Sequence, residues 1–585
     1  MMRIACLLIL LVSVDAYGEK KIFWGDTHLH TKYSLDAYAF GNHAIDPDSA
    51  FKFAKGTPVL HPRMQHRVHI GRPLDFLVVS DHAEYAGTIQ KLFTADPSIT
   101  DGLHGSRLAQ LAQDPENAKR VLFDLVGSIN SGVAYPDLVR EKIRLDAWKL
   151  SVDAADRHNE PGIFTAFIGW EWSSTTDGAN LHRVIVTSAG ADKALEFTPF
   201  SSLDSDDPED LWDWLDRTSA RTAADFVSIP HNSNLSKGKM FQAVDSNGSA
   251  FTADYVQQRL KWEPITEITQ VKGDSETHPE LSPDDPFAHF EPYENALDTR
   301  EGVVTRVNAT GADYIRSALK QGLAQAQRID ANPYQFGLIG SSDMHTGLVQ
   351  IEEDDMGGKY FFDSISVDKN KPGLPGATGW TYSASGLAAI SAEENTRSAL
   401  LAAMKRREVY ATTGPRINLK FTATAAGREV VMGGEITNNK TAPELSVYAM
   451  KDAIGANLDR IQIIKGWVDR DGQTHEKVFN VAWSGDRTID EAGNISAVGD
   501  SVDRATGRTA NTIGAPELHT TWTDPTWKSD EHAFYYVRVL QIPTARHSLY
   551  DALALGLDIT TTGYPSTLQE RAYSSPIWFT PSKTP

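Results

Sequence analysis

Two histidines separated by one residue stand near the start of the chain, in the sequence Asp26-Thr27-His28-Leu29-His30. Because alternate residues of a β-strand point to the same side, His28 and His30 can reach the same metal ion. Asp26 precedes the pair, where a carboxylate can orient a ligating imidazole through its second nitrogen. Asp36 follows the pair, and we expect it to supply an oxygen ligand from the next loop. The stretch therefore predicts part of a metal site.

Further residues of the ligating types come directly after later apolar runs. The run Phe76-Leu77-Val78-Val79 leads into Ser80-Asp81-His82, and the run that begins at Phe336 leads into Asp343 and His345. The candidates that share this placement are His28, His30, His82, Glu171, His231, Asp343 and His345. A histidine that only packs in a core would fall anywhere along a strand, so this placement favours a functional site.

The apolar runs alternate with stretches of helical spacing, which predicts a parallel α/β architecture. In α/β barrels the chemistry lies at the carboxyl ends of the strands, where the candidates are expected. Residues 90–160 read as a helical insertion over the barrel mouth, and 346–390 as a long loop excursion. Ser391 is expected to cap a helix that runs to Arg407. Short alternating runs after 416 predict a β-sandwich-like C-terminal domain, 416–585.

Composition limits the class of protein. A chain of 585 residues is expected to form two or more domains. A net charge of −21 argues against nucleic acid as the main partner, because phosphate backbones need a positive surface. Residues 1–18 have a basic start and a short apolar run, which predicts a signal peptide and a periplasmic or secreted protein. We expect no membrane span after it.

The absence of thiols limits the ligand set. The only cysteine is Cys6, which lies inside the predicted signal peptide. Any metal in the mature protein must then be held by His, Asp and Glu, and no disulfide can form. The sequence carries no P-loop, dinucleotide-binding glycine motif or Ser-His-Asp nucleophile motif that would suggest another chemistry.

Several motifs resemble one superfamily of metallohydrolases. Asp-x-His-x-His, Ser-Asp-His, Gly-x-Glu, Pro-His-Asn and Asp-x-His are similar to the PHP (polymerase and histidinol phosphatase) superfamily. The stretches WGDTHLHTKYSLDA, SDHAEY, GWEWSS, PHNSNLS, QVKGDSE, GSSDMHTG and YATTGPRI resemble its secreted branch, domain-of-unknown-function family 3604. The resemblance implies a distorted (β/α)7 barrel over residues 19–415 that binds two or three divalent metals (Zn, Mn or Fe) and hydrolyses phosphate esters.

The resemblance also implies residue roles. His28, His30, Glu171 and Asp343 resemble the ligands of one metal, with Glu171 bridging to a second; His82, His231 and His345 resemble the ligands of the others, with Asp36 beside them. Glu171, Asp343 and His231 are the expected catalytic residues, and Asp26 and Asp81 are expected to orient ligands. His182 precedes its apolar run, so a ligand role and a substrate or orienting role both stay open. Arg183, Lys272 and Arg416 are expected near the phosphate or leaving group.

Three functional classes fit this pattern. The first is an exported metal-dependent phosphoesterase that uses metal-activated water on a small phosphorylated ester. The second is a hydrolase of a lactone, amide, sulfate or other ester on the same centre, because a fold does not determine the bond that is cleaved. The third is a non-catalytic binding protein, which the complete set of ligand-type residues disfavours. The sequence predicts no oligomeric state.

Overall fold

Strands and helices alternate over the first half of the chain. The structure is a computed structural model and describes residues 19–114, 117–298, 303–371 and 377–581, so the predicted signal peptide lies outside the described residues. The first elements are β1 (Lys21–Leu29), α1 (Leu35–Ala39), α2 (Pro47–Ala54), β2 (Val59–Leu60), β3 (Arg67–Val68), β4 (Phe76–Val79), α3 (Thr88–Phe93), α4 (Leu103–Ala112), α5 (Ala118–Asn130), α6 (Glu141–His158), β5 (Thr165–Trp172), β6 (Arg183–Thr187), α7 (Ala191–Ala194), α8 (Pro208–Thr222), β7 (Phe226–Pro230), α9 (Ala253–Trp262), β8 (Ile265–Gln270), β9 (Gly273–Asp274), β10 (Asn295–Asp298) and β11 (Val303–Arg306).

The second half is mainly β-structure. Its elements are α10 (Ile315–Ile329), β12 (Gly337–Gly340), β13 (Leu387–Ala392), α11 (Arg397–Lys405), β14 (Val409–Thr412), β15 (Asn418–Ala425), β16 (Arg428–Val431), β17 (Glu435–Thr437), β18 (Glu444–Met450), β19 (Leu458–Val468), β20 (Thr474–Trp483), β21 (Glu517–Thr523), β22 (His532–Gln541), β23 (Thr544–Ala545), α12 (His547–Leu555), β24 (Thr567–Leu568), β25 (Arg571–Ser574) and β26 (Ile577–Thr580). The predicted α/β class is confirmed.

The largest sheet of the described residues is mixed, not parallel. It contains thirteen strands, eleven of them in the order β17-β26-β22-β25-β14-β13-β1-β4-β5-β6-β7. β1, β4 and β5 are parallel to one another, but β6 is antiparallel to both β5 and β7. The link from β5 to β6, residues 173–182, is too short for a crossover helix, and a short link joins antiparallel strands. The expected purely parallel arrangement is therefore wrong at β6, and also at β13, which is antiparallel to both β1 and β14.

The reversed direction of β6 explains the position of His182. Arg183, the first residue of β6, pairs with Trp172 at the end of β5 and with Pro230 at the end of β7. The start of β6 consequently lies at the edge of the sheet where its neighbours end. His182 precedes its strand and still reaches the same edge as the ligand candidates that follow theirs.

The strands under this edge are buried on both faces. One face of β4–β8 and β12–β14 contributes to a single hydrophobic cluster with α11. The other face packs against helices, as where Leu77 and Val79 of β4 share a cluster with Phe51 of α2 and Trp148 of α6. Strands covered on both faces need continuous apolar runs, which is why the runs were readable in the sequence.

The helices α3–α6 lie between residues 88 and 158, where the sequence predicts a helical insertion. Leu108, Val121 and Leu125 of α4 and α5 share a hydrophobic cluster with Phe40 and Tyr360, which come from loops near the ligand candidates. No helix in the described residues has the length and apolar character needed to cross a bilayer.

The strands after residue 416 form two groups that share one core. β16, β15, β18 and β21 form a separate antiparallel sheet, whereas β25 pairs with β14 and so extends the large sheet. Phe421 and Val447 of the small sheet meet Ile461 and Val537 of the large one in one hydrophobic cluster. The division of the chain between residues 415 and 416 stays a prediction.

Two details near residue 390 differ from expectation. Ser391 lies inside β13, and the following helix, α11, is capped by Thr396, whose hydroxyl accepts a hydrogen bond from Ala399 N. The expected loop over 346–390 therefore ends at the start of β13, Leu387. The cause is a short, alanine-rich strand, Leu387-Ala388-Ala389-Ile390, which is buried between β1 and β14.

Candidate metal centre

Five strand ends deliver the candidate ligands to one place. His28 lies at the end of β1 and His30 directly after it; His82 follows β4, Glu171 lies near the end of β5, His231 follows β7, and Asp343 and His345 follow β12. Each of these side chains is buried. Glu171 was expected just after its strand and is the penultimate residue of β5. Burial of so many ionisable groups in one place is costly unless they are paired or bind metal.

The innermost contacts join two histidines and two carboxylates. His28 Nε2 lies 3.0 Å from His30 Nε2. Glu171 Oε2 lies 3.3 Å from His28 Nε2 and 3.0 Å from His30 Nε2. Asp343 Oδ1 lies 3.4 Å from each of the same two nitrogens. Glu171 and Asp343 thus each place one carboxylate oxygen against the same pair of imidazole nitrogens.

Glu171 connects two parts of the centre. While its Oε2 faces His28 and His30, its Oε1 lies 2.7 Å from His182 Nδ1 and 3.2 Å from His231 Nε2. A carboxylate with one oxygen in each of two ligand groups has the geometry of a bridging ligand. The position agrees with the bridging role implied by the sequence resemblance.

Asp36 lies between two further histidines. Its Oδ2 is 2.7 Å from His345 Nε2, and its Oδ1 is 3.4 Å from His82 Nε2. Tyr360 donates a hydrogen bond of 3.2 Å to Oδ2. The loop after His30 therefore brings an oxygen donor to the side of the centre formed by His82 and His345.

Three groups of donors in the described residues are close enough to hold a metal ion. They are His30, His82 and His345; His28, Glu171 and His231; and His28, His30 and Asp343. Within each group the donor atoms all lie within 4.8 Å of one another, and every member is buried. Because neighbouring groups share His28 and His30, they form one continuous centre.

The outward-facing nitrogens of these histidines are held by protein oxygens. His28 Nδ1 lies 3.0 Å from Glu267 Oε2, His30 Nδ1 lies 2.7 Å from Ser34 Oγ, and His82 Nδ1 lies 2.6 Å from Ser173 Oγ. The Nδ1 atoms of His345 and His231 face the backbone carbonyls of Asp343, at 3.0 Å, and Ile229, at 3.4 Å. When a metal-binding histidine donates its other N–H in this way, its tautomer and orientation are fixed.

The contacts at Nδ1 leave Nε2 of these histidines as the atom that could bind a metal ion. A neutral imidazole that donates through Nδ1 presents a lone pair on Nε2. His28 Nε2 and His30 Nε2 lie 3.0 Å apart, where two lone pairs would repel each other without a proton or a cation between them. Imidazole nitrogens and carboxylate oxygens without thiolates suit zinc, manganese or iron. The residues present therefore fit a divalent metal centre.

The carboxylates of the centre are held in their charged form. Burial alone would raise the pKa of Glu171, but the charges of His82 and His231 outweigh it and keep the pKa well below its usual range. Burial acts in the same direction on Asp343, where Lys272 and Lys359 outweigh it and also lower the pKa well below its usual range. Both groups are consequently ready to bind cations at neutral pH.

Two histidines of the centre have pKa values shifted in opposite directions. Burial would lower the pKa of His28, but the charges of Asp343 and Glu267 reverse the effect and raise it to about 10. For His345, burial outweighs the attraction of Asp36 and lowers the pKa to about 3. Asp343 and Glu267 together outweigh burial at His28, whereas Asp36 does not outweigh burial at His345, so the two pKa values shift in opposite directions.

Asp26 and Asp81 act on the backbone and on serines instead of directly on imidazoles. Asp26 Oδ1 accepts hydrogen bonds of 3.0 Å from the amides of His28 and Ser342, so the expected contact with an imidazole is wrong. Asp81 accepts a bond of 2.7 Å from Ser34 Oγ, and Ser34 contacts His30. Asp81 thus reaches His30 through one intervening hydroxyl.

Of the three predicted basic residues, only Lys272 reaches the centre, where its Nζ lies 3.0 Å from Asp343 Oδ2. Arg183 points away, and its Nε donates to Glu263 Oε1 at 2.9 Å in the buried interior. Arg416 donates to the carbonyl oxygens of Arg72 and Pro73, which precede β4, so it lies at the opposite end of that strand. Neither arginine is placed to contact a ligand of the centre.

Sequence reasoning missed two charged residues that contact the centre. Lys359 Nζ lies 3.0 Å from Asp343 Oδ2 and 3.2 Å from His345 Nδ1, and burial lowers its pKa to about 8. Lys359 belongs to the long loop before β13, where no pattern singled it out. Glu267 lies inside β8, and a charged residue within a buried strand was the available signal.

We expect Glu267→Gln to weaken metal binding at least about tenfold, the usual range for residues that orient a ligating histidine. Gln can still face His28 Nδ1 but carries no charge to support it. Binding of manganese to the metal-free protein, measured by calorimetry, tests this. Glu570→Gln is the control, because Glu570 is buried outside the centre. Equal affinities in all three proteins would contradict an orienting role for Glu267.

The fold and the site thus define a class of protein. It is an α/β protein with a buried centre in which His, Glu and Asp side chains form three groups that could hold metal ions. The model of the family described as "Protein of unknown function (DUF3604)" matches residues 17–581. The chain belongs to this family, which confirms the resemblance seen in its motifs.

Two individual proteins are similar to this chain. An uncharacterized protein of Chlamydia pneumoniae is 28% identical over 257 residues, which are 43% of this chain and 34% of that protein. The chain therefore spans about a third of the curated relative that it matches. A solved two-domain protein of Bacteroides vulgatus ATCC 8482, described as containing a predicted PHP-like metal-dependent phosphoesterase, is 11% identical with a TM-score of 0.26; the match covers 86% of this chain and 96% of that one.

Proposed function

We propose that this protein is a metal-dependent hydrolase that cleaves phosphate esters. The observation that carries the proposal is the buried convergence of five histidines with Glu171 and Asp343 in three overlapping groups that could hold metal ions. We further propose that the centre takes two or three divalent ions, zinc, manganese or iron. Phosphatases and nucleases use two-metal sites that stabilise the attacking and leaving oxygens of the displacement.

The proposed roles follow from the contacts. Divalent ions bound there would supply the Lewis acidity that activates water and neutralises charge on the ester. His28, His30, His82, His231, His345, Asp36 and Asp343 would be ligands, and Glu171 would bridge. His182 Nδ1 lies 2.7 Å from Glu171 Oε1, and its ring packs edge-on against those of His82 and His231, so we propose that it positions Glu171 or faces the substrate.

Two lysines complement the centre. Lys272 contacts Asp343 and also lines the pocket beside the ligands, where its ammonium group can bind an anionic ester oxygen. Lys359 is buried and donates to the carbonyl oxygen of Asp343 at 2.8 Å, so its proposed role is to hold the loop that carries Asp343 and His345. Local positive charge of this kind can attract an anionic substrate to a protein whose net charge is −21.

We also propose that the strands around the centre close into a distorted (β/α)7 barrel. Thr266 Oγ1 of β8 donates a hydrogen bond of 3.0 Å to Pro230 O of β7, and Gly386 N, just before β13, donates one of 3.0 Å to Ser341 O, just after β12. The hydrophobic cluster shared by β4–β8 and β12–β14 supports the same closure. The common core of the strands after 416 supports a sandwich-like domain.

Export is part of the proposal, because the first 18 residues have the pattern of a signal peptide. The proposed substrate is a small-molecule ester, not a nucleic acid. The histidines of the centre, Glu171 and Asp343 are buried, which suits a small group entering a pocket better than a polymer lying across a surface.

A metal analysis tests the first step of the proposal. We expect purified protein to carry at least two divalent ions per chain, because the three donor groups overlap at His28 and His30 and together contain seven ligand-type residues. Elemental analysis after reconstitution with manganese or zinc measures the content. A content of less than one metal ion per chain would contradict a centre that holds two or three ions.

The reaction is tested by a substrate panel. Phosphate mono- and diesters, lactones, amides and sulfate esters are offered to the metal-reconstituted protein, and we expect turnover of the phosphate esters. Turnover of only a lactone, amide or sulfate ester would assign the centre to the second class of hydrolase. Metal binding without turnover of any class would favour the non-catalytic binding protein.

A further inference from the structure

A pocket of about 160 Å³ opens beside the metal centre. Its polar side includes Asp36, His82, His182 and Lys272, so the pocket reaches the proposed ligands directly. Its apolar wall consists of Leu35, Phe40, Leu122, Val126, Ile129 and Leu235. A group bound in the pocket would therefore touch both the centre and a continuous hydrocarbon surface.

Helix α5 of the helical insertion supplies half of the apolar wall. Leu122, Val126 and Ile129 are spaced by four and three residues, so they lie along one face of the helix. That face also takes part in the hydrophobic cluster of α4 and α5, which fixes the position of the wall. The insertion thus forms one side of the pocket in addition to packing against the barrel.

Two buried polar atoms in the pocket have no hydrogen-bond partner among the described residues. They are Glu84 Oε2 and His182 Nε2. Glu84 is 1% exposed, and its other oxygen accepts the amides of Ser173, at 3.1 Å, and Ser202, at 2.7 Å, so the side chain is held in place. A buried carboxylate of this kind disfavours an anionic group beside it, so the part of the pocket next to Glu84 suits an uncharged group.

We propose that this pocket binds the organic group of the substrate, and that this group is uncharged, apolar and about the size of one benzene ring. The inference rests on the proposed function, because the ester bond itself would lie at the centre. An apolar cavity of about 150 Å³ in another protein binds benzene, so the volume here suits one ring and not two fused rings. The part of the wall formed by Leu122, Val126 and Ile129 of α5, here called the α5 wall, would determine which esters are accepted.

Non-hydrolysable phosphonates test the size and polarity of the group. We expect phenylphosphonate to bind the manganese-loaded protein roughly 10- to 100-fold more tightly than methylphosphonate, the range for burying one aromatic side chain. Naphthylphosphonate should bind more weakly than phenylphosphonate because its second ring exceeds the volume. Calorimetry measures all three affinities, and because phosphonates are not cleaved, leaving-group reactivity does not enter.

Variants of α5 test the wall itself. Val126→Trp should fill the pocket and reduce the preference for phenylphosphonate at least about tenfold, following the same transfer free energy. Val126→Met is a milder version for use if the first variant does not fold. Val133→Trp is the matched control, because Val133 is 62% exposed and outside the pocket, and it should leave the preference unchanged.

The outcomes separate this inference from the proposed function. Equal affinity for phenyl- and methylphosphonate, with both bound, would overturn the apolar pocket and leave the phosphoesterase standing. No binding of either phosphonate to the metal-loaded protein would overturn both. A preference for the phenyl group that survives in folded Val126→Trp and Val126→Met would overturn the assignment of the α5 wall.

Discussion

Glu171→Gln is expected to lower turnover at least about a hundredfold, at the upper end of effects seen for residues that only orient a ligand. Glu171 places one carboxylate oxygen beside His28 and His30 and the other beside His182 and His231. Gln offers one oxygen and no charge, so it cannot serve both sides. Turnover of a phosphate ester and the metal content of the same preparation together measure the effect.

Glu570→Gln is the matched control for this variant. Glu570 is also a buried glutamate, and burial raises its pKa well above the usual range, so the control makes the same Glu-to-Gln change at a buried site outside the centre. We expect the control to keep its metal and its activity. A Glu171→Gln protein with near wild-type turnover and full metal content would show that Glu171 is not a ligand.

Removal of the metal is expected to abolish activity. Each of the three donor groups found in the described residues combines side chains from at least two loops or strand ends, so none of the groups comes from a single segment. Dialysis against a chelator should reduce hydrolysis of aryl phosphate esters to background, and manganese or zinc should restore it. Assays before chelation, after chelation and after reconstitution provide the comparison.

Inorganic phosphate should inhibit competitively, because three oxygens of a tetrahedral anion can bridge two or three cations. In a soaked crystal we expect the anion near His28, His231 and His345. A lactone or amide product would offer the centre one carboxylate with fewer oxygens, so phosphate inhibition separates the phosphoesterase from a lactonase or an amidase. If phosphate does not inhibit and no phosphate ester is cleaved, while a lactone or sulfate ester turns over, the proposed reaction class is wrong.

The sequence by itself determined which residues could form the centre. Buried strands require uninterrupted apolar runs, so the ends of β4, β7 and β12 were visible as changes from apolar to polar residues. In α/β barrels the carboxyl ends of the strands share one edge. The sequence alone therefore groups His82, His231 and Asp343. The local sequence pattern was sufficient to predict these ligands, because their placement depends only on where the strands end.

Only the tertiary structure decided the directions of strands and side chains. The reversal of β6, which brings His182 to the centre and turns Arg183 toward Glu263, depends on pairing with β5 and β7. Lys359 reaches Asp343 from a loop without a periodic pattern.

The residues that orient the ligands were hidden for the same reason. Glu267 meets His28 across 239 positions of sequence. Such contacts leave no local pattern, because they arise from the packing of segments that are distant in the chain. Pairing of distant segments is therefore the physical reason why the ligands could be predicted while their supporting residues could not.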